Sequence, residues 1–213
     1  MRIGIIGAGL IGGTLTRRLS ALGHEVRVAN SRDPETLAEL AAETGATAVW
    51  AREAAVDADV VIVSIPQKNT PDLPPGLVTS ARPGAPVIET NNYYPQQRDG
   101  RIDALEDGTP ESVWVAGHLG VPVVKVFNGI HWKHLLAARF PALPVAGADG
   151  AAKDTVVALV DELGFDPVDA GPLEESWRQQ PGTPVYGKDH DAEGVRAALA
   201  EATPGRPEEF RAA

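Results

Sequence analysis

Short apolar runs and stripes of helical period alternate along the first 130 residues. Ile3, Ile5 and Ile6 predict a first strand. Ile11, Leu15, Leu19 and Leu22 recur at helical spacing and predict a helix that Gly23 stops. Residues 25–30 read as a second strand. Asp33 then caps a helix with Pro34 at its first position and Leu37, Leu40 and Ala41 on its buried face. A short third strand is expected at 47–50. Residues 59–65 contain Val60-Val61-Ile62-Val63, a β-branched run of the kind buried on both faces of a central parallel strand. Residues 86–90 and 121–127 add two further strands. The alternation predicts an α/β fold, a doubly wound, mainly parallel sheet with helices on both faces.

Beyond residue 140 the pattern predicts a small C-terminal α/β lobe. A strand is expected at 143–146 and another at 165–169. Between them, Ala152, Val156, Leu159, Val160 and Leu163 share one face of a helix over 149–163. Val195, Ala198 and Leu199 mark a terminal helix. The expected organisation is a nucleotide-binding domain over 1–140 and the small lobe over 141–213. Two irregular stretches, 66–75 and 91–110, follow strand ends, where ligands of open α/β sheets bind.

The first strand runs into Gly7-Ala8-Gly9-Leu10-Ile11-Gly12. In this strand–turn–helix context Gly7 permits the tight turn, and Gly9 lets the backbone approach a diphosphate. Gly12 allows the helix to pack closely on the sheet. The diphosphate would sit on the free N–H groups and positive dipole end of that helix. The residue that would accept a bond from a ribose 2′-hydroxyl is acidic in NAD-binding sheets. Here it is Asn30, followed by Ser31 and Arg32. A hydroxyl and a guanidinium suit a 2′-phosphate, so the expected cofactor is NADP(H).

Composition narrows the remaining classes. The 213 residues carry 43% hydrophobic content, enough for a full core, and no run of about 18 apolar residues spans a membrane. The formal net charge of −10 argues against a nucleic-acid partner. Absence of cysteine removes disulfides, thiolate nucleophiles and iron–sulfur clusters. It fits a reducing compartment, and the expected location is the cytoplasm. With the first strand opening at residue 2, no secretory signal segment is expected.

These features, with Ser64-Ile65-Pro66, Asn91-Asn92-Tyr93-Tyr94-Pro95 and Lys125-Val126-Phe127-Asn128, resemble the coenzyme F-420-dependent NADP oxidoreductase family. The resemblance implies a Rossmann-type domain with a small C-terminal lobe, usually assembled as a homodimer. It also implies hydride transfer between NADP(H) and a deazaflavin, coenzyme F-420. By the same likeness, Gly7 to Gly12 and Asn30 to Arg32 would hold the diphosphate and the adenosine phosphate. Ser64, Ile65 and Pro66 would line the channel beside the ribose. Thr90, Asn91 and Asn92 would approach the nicotinamide, with Asn128 and Gly129 across from it. Related proteins reduce other acceptors, imines among them.

Transfer between two ring cofactors needs mainly close, aligned placement of donor and acceptor atoms. Reduction of a small imine or carbonyl also requires a positioned acid. Candidates for that acid are His131 and His134, three apart on an expected helix, with Tyr93, Tyr94 and Lys125 near them in the pattern. Trp132 and Trp177 could stack on a flat ring or fill core. No third ligand accompanies the histidine pair, so no metal is expected. A non-catalytic NADPH-binding sensor is the remaining alternative.

Overall fold

The computed structural model describes residues 1–137 and 141–212. In chain order the elements begin β1 (Arg2–Ile6), α1 (Leu10–Ala21), β2 (Glu25–Ala29), α2 (Ala38–Thr44), β3 (Thr47–Ala48), α3 (Ala51–Ala54) and β4 (Val60–Val63). There follow β5 (Val87–Glu89), α4 (Asp103–Glu106), α5 (Glu111–Leu119), β6 (Val124–Lys125) and α6 (Trp132–Ala137). The last third contributes β7 (Leu143–Val145), α7 (Ala151–Glu162), β8 (Pro167–Asp169) and α8 (Ala192–Glu201).

The first six strands pair in parallel, in the order β3-β2-β1-β4-β5-β6. This is the doubly wound, Rossmann-type arrangement expected from the alternating pattern. Strand order reverses between β1 and β4, so a crevice opens where their carboxyl ends diverge. The valine-rich β4 is buried at all four positions, as a strand covered on both faces must be. One core layer joins Ile3, Ile5, Leu15 and Leu19 to Val156, Leu159 and Phe165. A second, on the opposite face, gathers Ile6, Val61, Val63, Val78 and Val87.

Several local expectations shift. The helix begun by Asp33 opens as a 3-10 turn over Pro34–Leu37, with Asp33 Oδ1 accepting the Glu35 N–H at 2.9 Å, and only then continues as α2. Leu22 lies past the end of α1 and is 39% exposed, because Gly23 (φ +85°) turns the chain away there. The strand expected over 121–127 shrinks to two residues. Phe127, buried but at φ +65°, swings the chain out of the ladder. Within 91–110 the chain forms a π turn (Pro95–Asp99) and α4, and α5 then crosses back beneath the sheet edge.

In the last third, β7 and β8 form their own two-stranded parallel sheet, tied to β6 by an antiparallel bridge between Lys125 and Ala146. A small cluster of Ala142, Val168, Val185, Val195 and Leu199 packs beneath it. α7, by contrast, contributes Val156, Leu159 and Val160 to the main core. The expected boundary at residue 140 falls outside the described residues.

Candidate functional site

A cleft of about 540 Å³ opens at the carboxyl ends of β1, β2 and β4. Gly7, Ala8, Gly9, Asn30, Ser31, Arg32, Ser64, Ile65 and Pro66 all line it. Three neighbouring strand ends thus deliver nine of the predicted residues to one cleft, while Leu10, Ile11, Gly12, Thr90, Asn91, Asn92 and Asn128 are not among the residues that line it.

The glycines have separate reasons to be there. Gly7 sits at φ +107°, and a Cβ on it would stand 2.0 Å from the Ser64 carbonyl oxygen. A Cβ on Gly12 would stand 1.9 Å from the Gly7 oxygen, so α1 approaches the turn as no larger residue allows. Around Gly9 no atom lies within 4 Å of the corresponding position, leaving open space at the start of the helix. Gly9 is the N-cap of α1 and offers no side-chain acceptor to the first helical turn. Those N–H groups are left for an anion. Leu10 opens the helix 67% exposed, Ile11 packs partly against the core and Gly12 is buried.

At the end of β2, Asn30 Oδ1 accepts the Arg32 N–H at 2.8 Å, and Asn30 Nδ2 donates to Thr36 Oγ1. Asn30 is therefore a turn former. The exposed Arg32 side chain makes no hydrogen bond or ion pair among the described residues.

Beside the cleft, polar bonds stitch together the chain segments after β4, β5 and β6. Thr90 Oγ1 donates to Ser64 Oγ at 2.9 Å, and Asn91 Oδ1 accepts the Ile65 N–H at 2.9 Å. Asn92 and Asn128 exchange two bonds, Asn92 Nδ2 to the Asn128 carbonyl and Asn128 Nδ2 to Asn92 Oδ1. Asn128 Nδ2 also donates to the Gln179 carbonyl at 2.7 Å, and its Oδ1 accepts from Gln179 Nε2. The Asn128 amide is thus fully engaged within the protein. Asn91 differs: it is buried, and its Nδ2 has no partner among the described residues.

The acid candidates separate. Tyr93, expected as a wall or acid, is fully buried; its hydroxyl donates to Glu106 and accepts the Ile102 N–H. Burial pushes its pKa up to about 12, so it is a structural tie and no accessible acid. Lys125 is likewise buried, its Nζ 3.2 Å from Glu89 Oε2 and 3.0 Å from the Asn91 carbonyl. An ammonium enclosed in this way has no open path to a substrate. His131 lies just ahead of α6, so the helix expected to carry both histidines begins one residue late. The two rings still stand 5.7 Å apart, and His134 Nδ1 meets Asp189 at 2.9 Å. His131 is exposed and His134 half-buried, and neither lines the cleft. Trp177 lies under the Arg178 guanidinium, while Trp132 borders a groove beside Ala8, Gly9 and Leu10.

Five residues of the surrounding polar network escaped the sequence reading. Tyr186 bonds hydroxyl to hydroxyl with Tyr94, and burial raises both phenols. Arg206 reaches Glu111 at 2.6 Å and covers the Tyr93 ring. Burial pushes the Glu111 carboxyl up. Only Glu89, a charge closing a buried apolar run, left a readable signal; Arg206, Tyr186 and Gln179 come from distant sequence. Among the described residues no group of three or more His, Asp or Glu could hold a metal, and no helix is long and apolar enough to cross a membrane.

Against known proteins, the family model described as NADP oxidoreductase, coenzyme F420-dependent, matches residues 2–93, the segment that builds this cleft. The match takes in a little under half of the chain. It is also similar, at 31% identity and a TM-score of 0.76, to the hypothetical protein SMa0349 of Sinorhizobium meliloti, over 89% of this chain and 95% of that one. A candidate F420-dependent NADP-reductase of Arthrobacter sp. FB24 shares the fold at 20% identity and a TM-score of 0.67, over 83% and 87% of the two chains. Protein YjhV of Escherichia coli K12 is 45% identical over 64 residues, 30% of this chain and 47% of that protein. The match to this curated relative thus spans about half its length. The matched segment is that of a family of NADP oxidoreductases.

Proposed function

We propose that this protein is an NADP-dependent oxidoreductase that transfers hydride between NADPH and a deazaflavin of the coenzyme F-420 type. The observation that carries the choice of acceptor is the burial of Tyr93 and Lys125. Reduction of a small imine or carbonyl needs a positioned acid, and both of these candidates are locked into internal bonds. Ring-to-ring transfer asks of the protein mainly that it hold two partners in register. The near-complete mutual coverage with the Arthrobacter protein, 83% and 87%, supports the same reading at the level of fold.

In this reading residues 1–140 hold the dinucleotide and 141–213 contribute to the acceptor side. The α1 N–H groups behind Gly7, Gly9 and Gly12 bind the diphosphate. Ser31 and Arg32 bind the 2′-phosphate, with Arg32 supplying charge-assisted donors. Ser64, Ile65 and Pro66 form the wall beside the ribose, and Thr90, Asn91 and Asn92 border the nicotinamide. When bound, NADPH supplies the hydride, and a solvent proton completes the two-electron reduction of the acceptor. The proposal includes a homodimer in the cytoplasm.

The test is direct. NADPH should bleach the visible absorption of coenzyme F-420 in the presence of the protein, with one NADPH consumed per deazaflavin reduced. NADPH oxidation by a small cyclic imine or ketone, with no bleaching of F-420, would move the assignment to small-molecule reduction. Tight NADPH binding without turnover on either would make the protein a sensor.

A further inference from the structure

We propose that Asn69 and Asp72 read the base of the dinucleotide, with Asp72 selecting a purine that carries an exocyclic amine over one that carries a keto oxygen. The proposal rests on the reading of the cleft as a dinucleotide site.

Both residues lie on the 3-10 turn Gln67–Asp72 that follows β4, and both line the cleft. Side chains three apart on such a turn stack on one face, so the two polar groups are presented together. The lining around them is apolar. Leu73 and Pro74 continue from the turn, and Leu37 after β2 and Ala51 after β3 add to it. A flat ring suits such walls, with a few polar groups at its edge to fix its identity. Asp72 is exposed and Asn69 half-buried, and neither side chain bonds to another described residue.

Charge says which part of the ligand meets this wall. Of the residues that line the cleft, only Arg32 and Asp72 are charged. A carboxylate set against phosphates would repel them, so Asp72 must face a neutral part of the ligand that donates. None of the lining residues comes from β5, β6 or the chain beyond, so the cleft takes the adenosine half, with its diphosphate at α1 and its 2′-phosphate at Arg32. Two donors remain in that half, the ribose 3′-hydroxyl and the exocyclic amine of the base. The hydroxyl stands beside the 2′-phosphate, where a carboxylate is repelled; the amine is on the edge of the ring farthest from it. A carboxylate can only accept, so Asp72 pairs with an amine and opposes a keto oxygen in the same place. The Asn69 amide both donates and accepts, and serves the neighbouring ring nitrogen of either base.

The experiment titrates the full chain at neutral pH with two probes of equal charge: NADPH, and reduced nicotinamide hypoxanthine dinucleotide phosphate, in which a keto oxygen replaces the amine. The parent should bind NADPH roughly three- to tenfold more tightly, the scale of one hydrogen bond. In Asp72→Asn the amide can turn its donors to the keto oxygen, so the two affinities should come within about twofold of each other. Asp72→Ala, which can bond neither base, should level them as well. Removing a carboxylate raises the affinity of both anionic probes alike, so the ratio is the readout. The Asp72 side chain is exposed and bonds to no other described residue, so both variants should keep the parent's thermal midpoint. Equal affinities in the parent overturn the proposal, as does a preference for NADPH that survives undiminished in either variant. If the parent chain binds neither probe, the dinucleotide reading itself fails and takes this proposal with it.

Discussion

Tyr93 and Tyr94 are adjacent in sequence and point to opposite sides of the segment that leaves β5. The Tyr93 hydroxyl turns inward to Glu106 and the Ile102 N–H, beneath the Arg206 guanidinium. The Tyr94 hydroxyl turns outward to Tyr186, and its ring lies near Phe210 of the C-terminal tail. In an extended segment alternate side chains share a side. Asn91 and Tyr93 therefore face the buried network, while Asn92 and Tyr94 face Asn128 and Tyr186.

Tyr93→Phe should act on stability and leave turnover alone. It removes one acceptor and one donor, stranding the Ile102 N–H, for a cost of about 1–2 kcal/mol. Denaturant unfolding should show the loss, while kcat with NADPH and F-420 stays within about twofold of the parent. A large fall in kcat in the folded variant would return Tyr93 to the chemistry.

Arg32→Ala should weaken NADPH binding by roughly 1.5–3 kcal/mol, the scale of a charged hydrogen bond, because the exposed guanidinium is the cation next to Asn30 and Ser31 on the cleft wall. NADH, which has no 2′-phosphate, should bind as before. Titration of both nucleotides checks this, and equal losses would show that Arg32 does not read the phosphate.

Two glycine substitutions should separate fold from binding. Gly12→Ala drives a methyl into the Gly7 carbonyl and should destabilise the protein by about 1–3 kcal/mol or more. Gly9→Ala meets open space, so the thermal midpoint should hold. Its methyl would occupy the approach to the α1 N–H groups, and NADPH affinity should fall at least tenfold (about 1.4 kcal/mol).

Arg206→Ala should leave Glu111 buried without its cation and cost about 3–5 kcal/mol. The pH dependence follows from the direction of the Glu111 shift. Burial raises its folded pKa above the unfolded value, so the folded state holds the proton more tightly. Stability should therefore rise as pH falls from the raised folded value toward the ordinary carboxylate range. Because Arg206 is among the groups opposing that rise, the variant should regain stability on mild acidification more steeply than the parent. Unfolding curves taken from about pH 8 to pH 5 check the slope; parallel curves for the two proteins would refute the assignment.

Local periodicity was enough to read the sheet. β4 announces itself because a strand covered on both faces must be apolar throughout, and the glycine turn because its spacing answers a backbone requirement that Gly7 and Gly12 meet one residue at a time. The ends of elements were less legible. Nothing near Phe127 foretells its positive φ, which stands next to the bonds that Asn128 makes to Asn92 and Gln179.

By itself, then, the sequence determined the strand order's raw material and the helix behind the glycine turn, both set by local pattern, and it marked the strand ends from Gly7 to Pro66 that the parallel pairing of β1, β2 and β4 brings to one cleft. Tertiary structure alone decided which polar side chains face the cleft and which are sealed beneath it. Lys125 and Tyr93 are chemically able to serve as acids, and only the approach of Glu89, Glu106 and Arg206 removes them from solvent. The reason is physical: a side chain's role depends on its partners and burial, and those partners arrive from as far as the C-terminal tail.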